Sequence, residues 1–293
     1  MISSAPGLVL GGSERGDYMC PSLEAGHVRR NELAGCTTTE ADEKRDSHSL
    51  SGSYTTKPLI PSPLTYKQIP TASTTIFEAF KYDTLSWYTS GRDGTETSPP
   101  KPTRTDRFVF YLMFWYFITR RITLQLASGH SLIVVYPPKN GSKKRNLLEW
   151  LIDTIFSALE KLLGAMRSDI VKRRIEEIRV KEGVIVEAHL KDKIDDMYYV
   201  HLLATDPEYQ GQGHGGTLLG IIGDKADAEG RDAWLTSSGP HNIPFYHLHG
   251  YETVAEIILG DDDPTWQKGE LVCPVMLRKY KGSKLNRTIA EKV

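Results

Sequence analysis

Apolar and polar positions divide the chain into stretches of very different periodicity. Residues 1–70 are rich in Ser, Thr, Gly and charge and show little hydrophobic rhythm. Segments such as Thr37-Thr38-Thr39-Glu40-Ala41-Asp42-Glu43 offer too little apolar surface to offset ordering entropy, which predicts a disordered N-terminal tail. Order is expected from residue 71, where Thr71-Ala72-Ser73-Thr74-Thr75 forms a capping-type run ahead of Ile76-Phe77-Glu78-Ala79-Phe80. Pro99, Pro100 and Pro102 mark a loop. Asp106 to about Leu126 reads as one aromatic helix, and Leu132-Ile133-Val134-Val135-Tyr136 as a buried strand stopped by Pro137-Pro138.

After a basic turn at 139–145, Leu147, Leu148, Leu151, Ile152, Ile155, Phe156, Leu159, Leu162, Leu163 and Met166 recur at helical spacing. The charged stretch 167–193 predicts a second helix with a solvated face and a mobile connection, its interleaved glutamates arguing against an anion patch. Residues 139–193 thus read as a helical insertion. The last third alternates: strand 198–204, turn 206–209, glycine-rich loop, helix 217–229, strand 233–238, short helix 244–249, then strands near 252–259 and 271–277. The acidic turn Asp261-Asp262-Asp263-Pro264 between the last two reads as a solvated hairpin tip. This is an α/β pattern.

Charge narrows the function. The 36 Lys and Arg against 37 Asp and Glu give a net charge of -1, which argues against a nucleic-acid partner. Three cysteines in 293 residues cannot build a disulfide framework and point to a reducing compartment, so a cytoplasmic protein is expected, with the nucleus left open. The most apolar run, Phe108 to Ile118, is well short of the ~20 residues a spanning helix needs. A core-packed helix is expected there, and no membrane partner.

The densest chemical signal is Gln210-Gly211-Gln212-Gly213-His214-Gly215-Gly216, between a strand and a helix. Glycines allow positive φ and close ligand approach, and the helix N-terminus that follows attracts an anion. Three ligands compete. A P-loop requires a lysine before Thr217, where Gly216 stands. A dinucleotide fingerprint is met by Gly211-x-Gly213-x-x-Gly216, yet Asp206 to Gln210 intervene before it and Thr236-Ser237-Ser238 stand where an acidic ribose partner belongs. The third is a pyrophosphate loop for coenzyme A.

For that third ligand, Gln210-x-x-Gly213-x-Gly215 resembles the Q/R-x-x-G-x-G/A motif of the GNAT superfamily of acetyl-CoA-dependent N-acetyltransferases. The run from Trp234 to Tyr251, containing Asn242-Ile243-Pro244-Phe245-Tyr246 and ending Gly250-Tyr251, is similar to that superfamily's strand–helix segment. Within it the likeness is to the puromycin N-acetyltransferase type and related fungal small-molecule enzymes. It is clear over 198–279, looser over 76–138, and absent from the tail.

The resemblance implies a GNAT fold at 71–282, a mixed central sheet with splayed strands flanked by helices, and a C-terminal tail at 283–293. It implies that backbone groups of Leu203, Ala204 and Thr205 hold the pantetheine arm and thioester of acetyl-CoA. Gln210, Gly211, Gln212, Gly213, His214, Gly215 and Gly216 would form the pyrophosphate loop. Asn242 would contact the cofactor, although an Asn there is also an ordinary helix cap. Tyr246 matches the general acid that protonates the leaving thiolate. The base is left between His201, which strand alternation puts on the face of Tyr199, and Tyr199 itself, where some members carry Glu. Thr236 also stands where related members often carry Glu.

His214, His247 and His249 do not share a face, so no metal is expected, and Cys273 reads as a buried structural thiol. The expected reaction is acetyl transfer to a primary amine of a small molecule, by a monomer or homodimer. A protein amino group as acceptor and a degenerate acyl-CoA-binding module are the alternatives.

Overall fold

A computed structural model describes residues 60–139, 147–190 and 193–282. The expected tails therefore lie outside the described residues over 1–59 and 283–293. Seven strands form one mixed sheet: β1 (Ser62–Pro63), β2 (Ile122–Leu126), β3 (Ser131–Tyr136), β4 (Tyr198–Thr205), β5 (Ala233–Thr236), β6 (Glu252–Leu259) and β7 (Leu271–Arg278). Their order is β1-β2-β3-β4-β5-β7-β6. The helices are α1 (Ile69–Ala79), α2 (Thr84–Thr89), α3 (Arg104–Arg120), α4 (Leu147–Ala165), α5 (Asp169–Leu190), α6 (His214–Ala228) and α7 (Ile243–Leu248). Among the described residues no helix is long and apolar enough to cross a membrane.

Three expectations change. Regular structure reaches back before residue 71: Ser62 and Pro63 pair with β2, and α1 begins at Ile69 with Pro70 in its first turn. The aromatic helix is shorter than expected. It starts from a capping box between Thr103 and Asp106 and ends at Arg120, beyond which Ile122-Thr123-Leu124-Gln125-Leu126 alternates as a strand antiparallel to β3. The acidic turn is a solvated tip only in part, with Asp261 and Asp262 exposed. Asp263 is buried and takes Arg174 Nε at 2.6 Å, while Asp261 pairs with Lys181.

That pairing ties α5 into the domain. Arg174 is 1% exposed; it donates to the carbonyls of Tyr88 and Arg92, to Thr265 Oγ1 and to Asp263, and its guanidinium lies 4.3 Å from the Tyr88 ring centroid. Burial opposes the charge of Asp263, but the Thr265 hydroxyl and Arg174 hold its carboxyl down to about 2. The expected solvated face of 167–193 is therefore only part of α5.

The sheet is covered on both faces, which explains its near-continuous apolar strands. Leu132, Val134, Leu202, Ala204 and Trp234 pack with α1, α2 and α3 on one side. Ile133, Val135, Val200, Leu203 and Leu235 pack with α6 and α7 on the other.

Candidate active site

The site begins with a failure of pairing. β4 and β5 are parallel partners at only two rungs, Tyr198↔Ala233 and Tyr199↔Trp234, and then part. From Leu202 onward the β5-facing edge of β4 has no strand partner among the described residues. Leu203 and Ala204 bury their side chains in opposite cores, so what β4 offers a ligand there is backbone. Thr205 is held by its neighbours: its hydroxyl lies 2.7 Å from Ser131 Oγ, and its carbonyl accepts Gln210 Nε2 at 3.0 Å.

A bulge sits at the same opening. Val134 pairs with Leu202 and Val135 with Val200, leaving His201 as the extra residue. The bulge resets the alternation, so His201 and Leu202 both lie on the α3 side. His201 does share a face with Tyr199, as alternation predicts. Its ring lies among Phe117, Tyr136 and Tyr199, with centroids 5.5, 5.0 and 5.7 Å away. Burial, and then the Arg121 charge, push its pKa down to about 4, so it is neutral at physiological pH. Tyr199 stacks on Trp234 at 4.2 Å and forms an aromatic wall.

At the far end of the opening the glycine loop turns into α6. Gly211 and Gly213 have φ of 75° and 79°, values a side chain rarely adopts. Gly213 occupies the N-cap and brings no side chain to satisfy the helix. The first intrahelical bond runs from Thr217 N–H to the Gly213 carbonyl, which leaves the amides of His214, Gly215 and Gly216 without an acceptor inside the helix. No acidic residue occupies this first turn. The loop thus fits an anion. Gln212 braces it by donating to the Glu208 carbonyl at 3.1 Å. Gly216 has a packing role, since a Cβ there would lie 3.0 Å from the His249 ring. His214 is buried, its Nδ1 without a hydrogen-bond partner among the described residues, and burial lowers its pKa.

Tyr246, on α7, is fully buried with its hydroxyl unpartnered among the described residues. Burial, then Tyr251, pushes its pKa up, so the phenol keeps its proton across the working pH range. A buried hydroxyl in this state calls for a partner that the described residues do not supply. Asn242 stands at the N-cap of α7 but makes no capping bond; it donates to Ser237 Oγ at 3.4 Å.

Sequence reasoning missed contributions from the inserted helices and from the end of α3. Thr236 Oγ1 donates to Glu182 Oε1 of α5 at 2.9 Å, bringing a carboxylate to the end of β5. Arg121 lies over Tyr136, 4.1 Å from its centroid, and donates to the Tyr116 hydroxyl. Glu160 of α4 has its carboxyl raised to about 8 by burial, against the opposing pull of Arg167 and Arg121. No local signal marks any of these, because each depends on a partner distant in sequence.

Comparison with known proteins gives one family match and several likenesses of fold. Residues 175–253, from the middle of α5 through the glycine loop and α7, match the family model of the GNAT acetyltransferase domain. The fold is shared with arylalkylamine N-acetyltransferase 2 from Aedes aegypti at 13% identity and a TM-score of 0.52, over 76% of this chain and 99% of that one. An agmatine N-acetyltransferase aligns at 11% identity and a TM-score of 0.47, over 75% and 99% of the two chains. A Drosophila melanogaster polyamine N-acetyltransferase aligns at 12% and 0.47, over 76% and 100%.

Proposed function

We propose that this chain is an N-acetyltransferase that moves the acetyl group of acetyl-CoA onto a primary amine of a small molecule, by direct attack within a ternary complex. The observation that carries the reading is the parted β4–β5 pair, with free helix amides at one end and the Tyr246 hydroxyl orphaned in the core on the α6 side.

When bound, acetyl-CoA supplies an activated thioester whose acetyl group an amine can take. The unpaired edge of β4 at Leu203, Ala204 and Thr205 orients the pantetheine arm and aims an N–H at the carbonyl oxygen. The amides of His214, Gly215 and Gly216 hold the pyrophosphate at the positive end of α6. The amine nitrogen bonds to the acetyl carbon, the carbon–sulfur bond breaks, and Tyr246 gives the sulfur its proton. A phenol at ~10 is a weaker acid than a thiol at ~8.5, but a thiolate leaving into the same dry region is also harder to form, which narrows that gap. On the opposite face the attacking nitrogen gives up its proton to neutral His201, directly or through water, and His201 passes it on to solvent. A pKa of about 4 makes it a relay rather than a resting cation. The aromatic surround of Tyr199, Trp234, Phe117 and Tyr136 favours a small apolar amine over a protein tail. The likeness to the puromycin N-acetyltransferase type favours the same.

Calorimetric titration of acetyl-CoA tests the cofactor half. Binding near ~1–10 μM is expected, and Gly213→Glu, which adds bulk and negative charge at the phosphate position, should weaken it by ~10³-fold. Tyr246→Phe should leave that affinity intact and lower kcat by ~10²-fold. Full turnover in Tyr246→Phe removes it as the acid, and no binding to the folded wild type removes the acetyltransferase reading.

A further inference from the structure

The two ends of the aromatic face carry opposite charge. Arg121 lies at the β3 end, over Tyr136, and its field helps to keep His201 neutral. Glu182 lies at the β5 end, held by the Thr236 hydroxyl. Its charge reaches Cys273, whose buried thiol is pushed up first by burial and then by Asp83 and Glu182. Asp83 is itself buried at the start of α2, capping the amide of Ser86 at 2.7 Å.

Register puts Glu182 at the opening. Trp234 is the last β5 residue paired with β4, and Thr236 lies two residues further, ~6–7 Å along the strand and on the same face. His201 lies two residues beyond Tyr199 on the other side of the gap. Thr236 and His201 lie on the two strands that border the split, both on the α3 side. The Thr236 bond orients Glu182, and an ionised carboxylate, with ~4 lone-pair sites, can accept several donors at once.

We infer that Glu182 of the inserted helix α5 is the carboxylate that positions the acceptor's ammonium, so that the acceptor is a cationic amine with an aromatic or apolar body lying along Tyr199 and Trp234. The inference rests on the acetyl-transfer reading above. It explains why the strand position 236 can be threonine: the hydroxyl holds a carboxylate delivered from another element. Glu182 is a positioning residue, with no covalent part in the reaction.

Glu182→Gln tests it, since the amide oxygen still accepts from Thr236 while the charge is gone. Phenethylamine is the probe, titrated calorimetrically into the full chain saturated with acetyl-free CoA and assayed by thiol release with acetyl-CoA. The expected result is a ~10-fold or greater loss of amine affinity, with an equal rise in amine KM. The acetyl-CoA KM and melting temperature should be unchanged and kcat should stay within a factor of ~3. Thr236→Val should shift amine affinity the same way by less, ~3-fold. A lower melting temperature in Glu182→Gln with unchanged amine affinity overturns the inference and leaves Glu182 as a tie between α5 and β5. No binding of phenethylamine to the wild type–CoA complex overturns the assignment of this face to a cationic aromatic amine. Failure of acetyl-CoA itself to bind the wild type is a separate outcome, read without any variant; it removes the acetyl-transfer reading and the inference with it.

Discussion

On the α6 side of the split sheet, most groups aimed at a ligand belong to the backbone. The amides of His214 to Gly216 come from one short loop, and a second helix of six residues adds Tyr246. On the α3 side the corresponding groups are side chains from distant segments: Arg121 after α3, Tyr136 on β3, Glu182 on α5, Thr236 on β5. A backbone cradle tolerates wide sequence change as long as glycines stand where φ is positive. A side-chain assembly changes with every substitution. On the function proposed above, the first side takes the cofactor and the second the acceptor.

The difference extends to what holds each side in place. The α3 side depends on α5, and α5 is anchored by Arg174 reaching Asp263 and the carbonyls of Tyr88 and Arg92. Arg174→Met should leave Asp263 charged, buried and short of its main partner, at a cost of about 3–5 kcal/mol in unfolding free energy. Urea denaturation measures this directly. If the two sides are built independently, amine affinity in this variant should fall well before acetyl-CoA affinity does. Parallel loss of both would mean that α5 supports the cofactor side as well. Replacing Arg174 and Asp263 together by Met and Leu should recover part of the loss, because no buried charge is then stranded.

The same division explains what was legible in the sequence. The glycine loop and α7 could be read because their chemistry is local, a positive-φ glycine before a helix start and an aromatic pair before a capping glycine. Even there, α6 begins at His214, three residues before the expected start, since Gly213 serves as a bare N-cap. Strand β2 was hidden because the aromatic run of α3 continues into it without a polar break at the junction other than Arg120-Arg121. The bulge leaves no mark in Tyr198–Thr205, where every residue fits an ordinary buried strand. Thr236 and Glu182 are 54 positions apart, and Arg174 and Asp263 are 89 apart. Neither spacing has a periodic signature, so the Asp263 turn looked like exposed hairpin and position 236 looked like a missing acid.

His201 gives the smallest and sharpest test of the two-sided arrangement, because it measures how dry the acceptor face is. Its folded pKa of about 4 lies below the ~6.5 of a free imidazole. Between those values the unfolded chain binds a proton that the folded chain does not. The stabilisation is therefore complete above pH ~6.5 and is lost as pH falls through about 4. The gap corresponds to at most about 3 kcal/mol. His201→Phe fits a face already lined by Phe117 and Tyr136 and should flatten most of the decline in stability between pH 6.5 and 4, as followed by urea midpoints across that range. His214 and His249, also lowered by burial, would supply what slope is left. An unchanged slope would mean that water reaches His201, and in a wet acceptor face the imidazole can hold a proton near neutral pH and act as a true base rather than a relay.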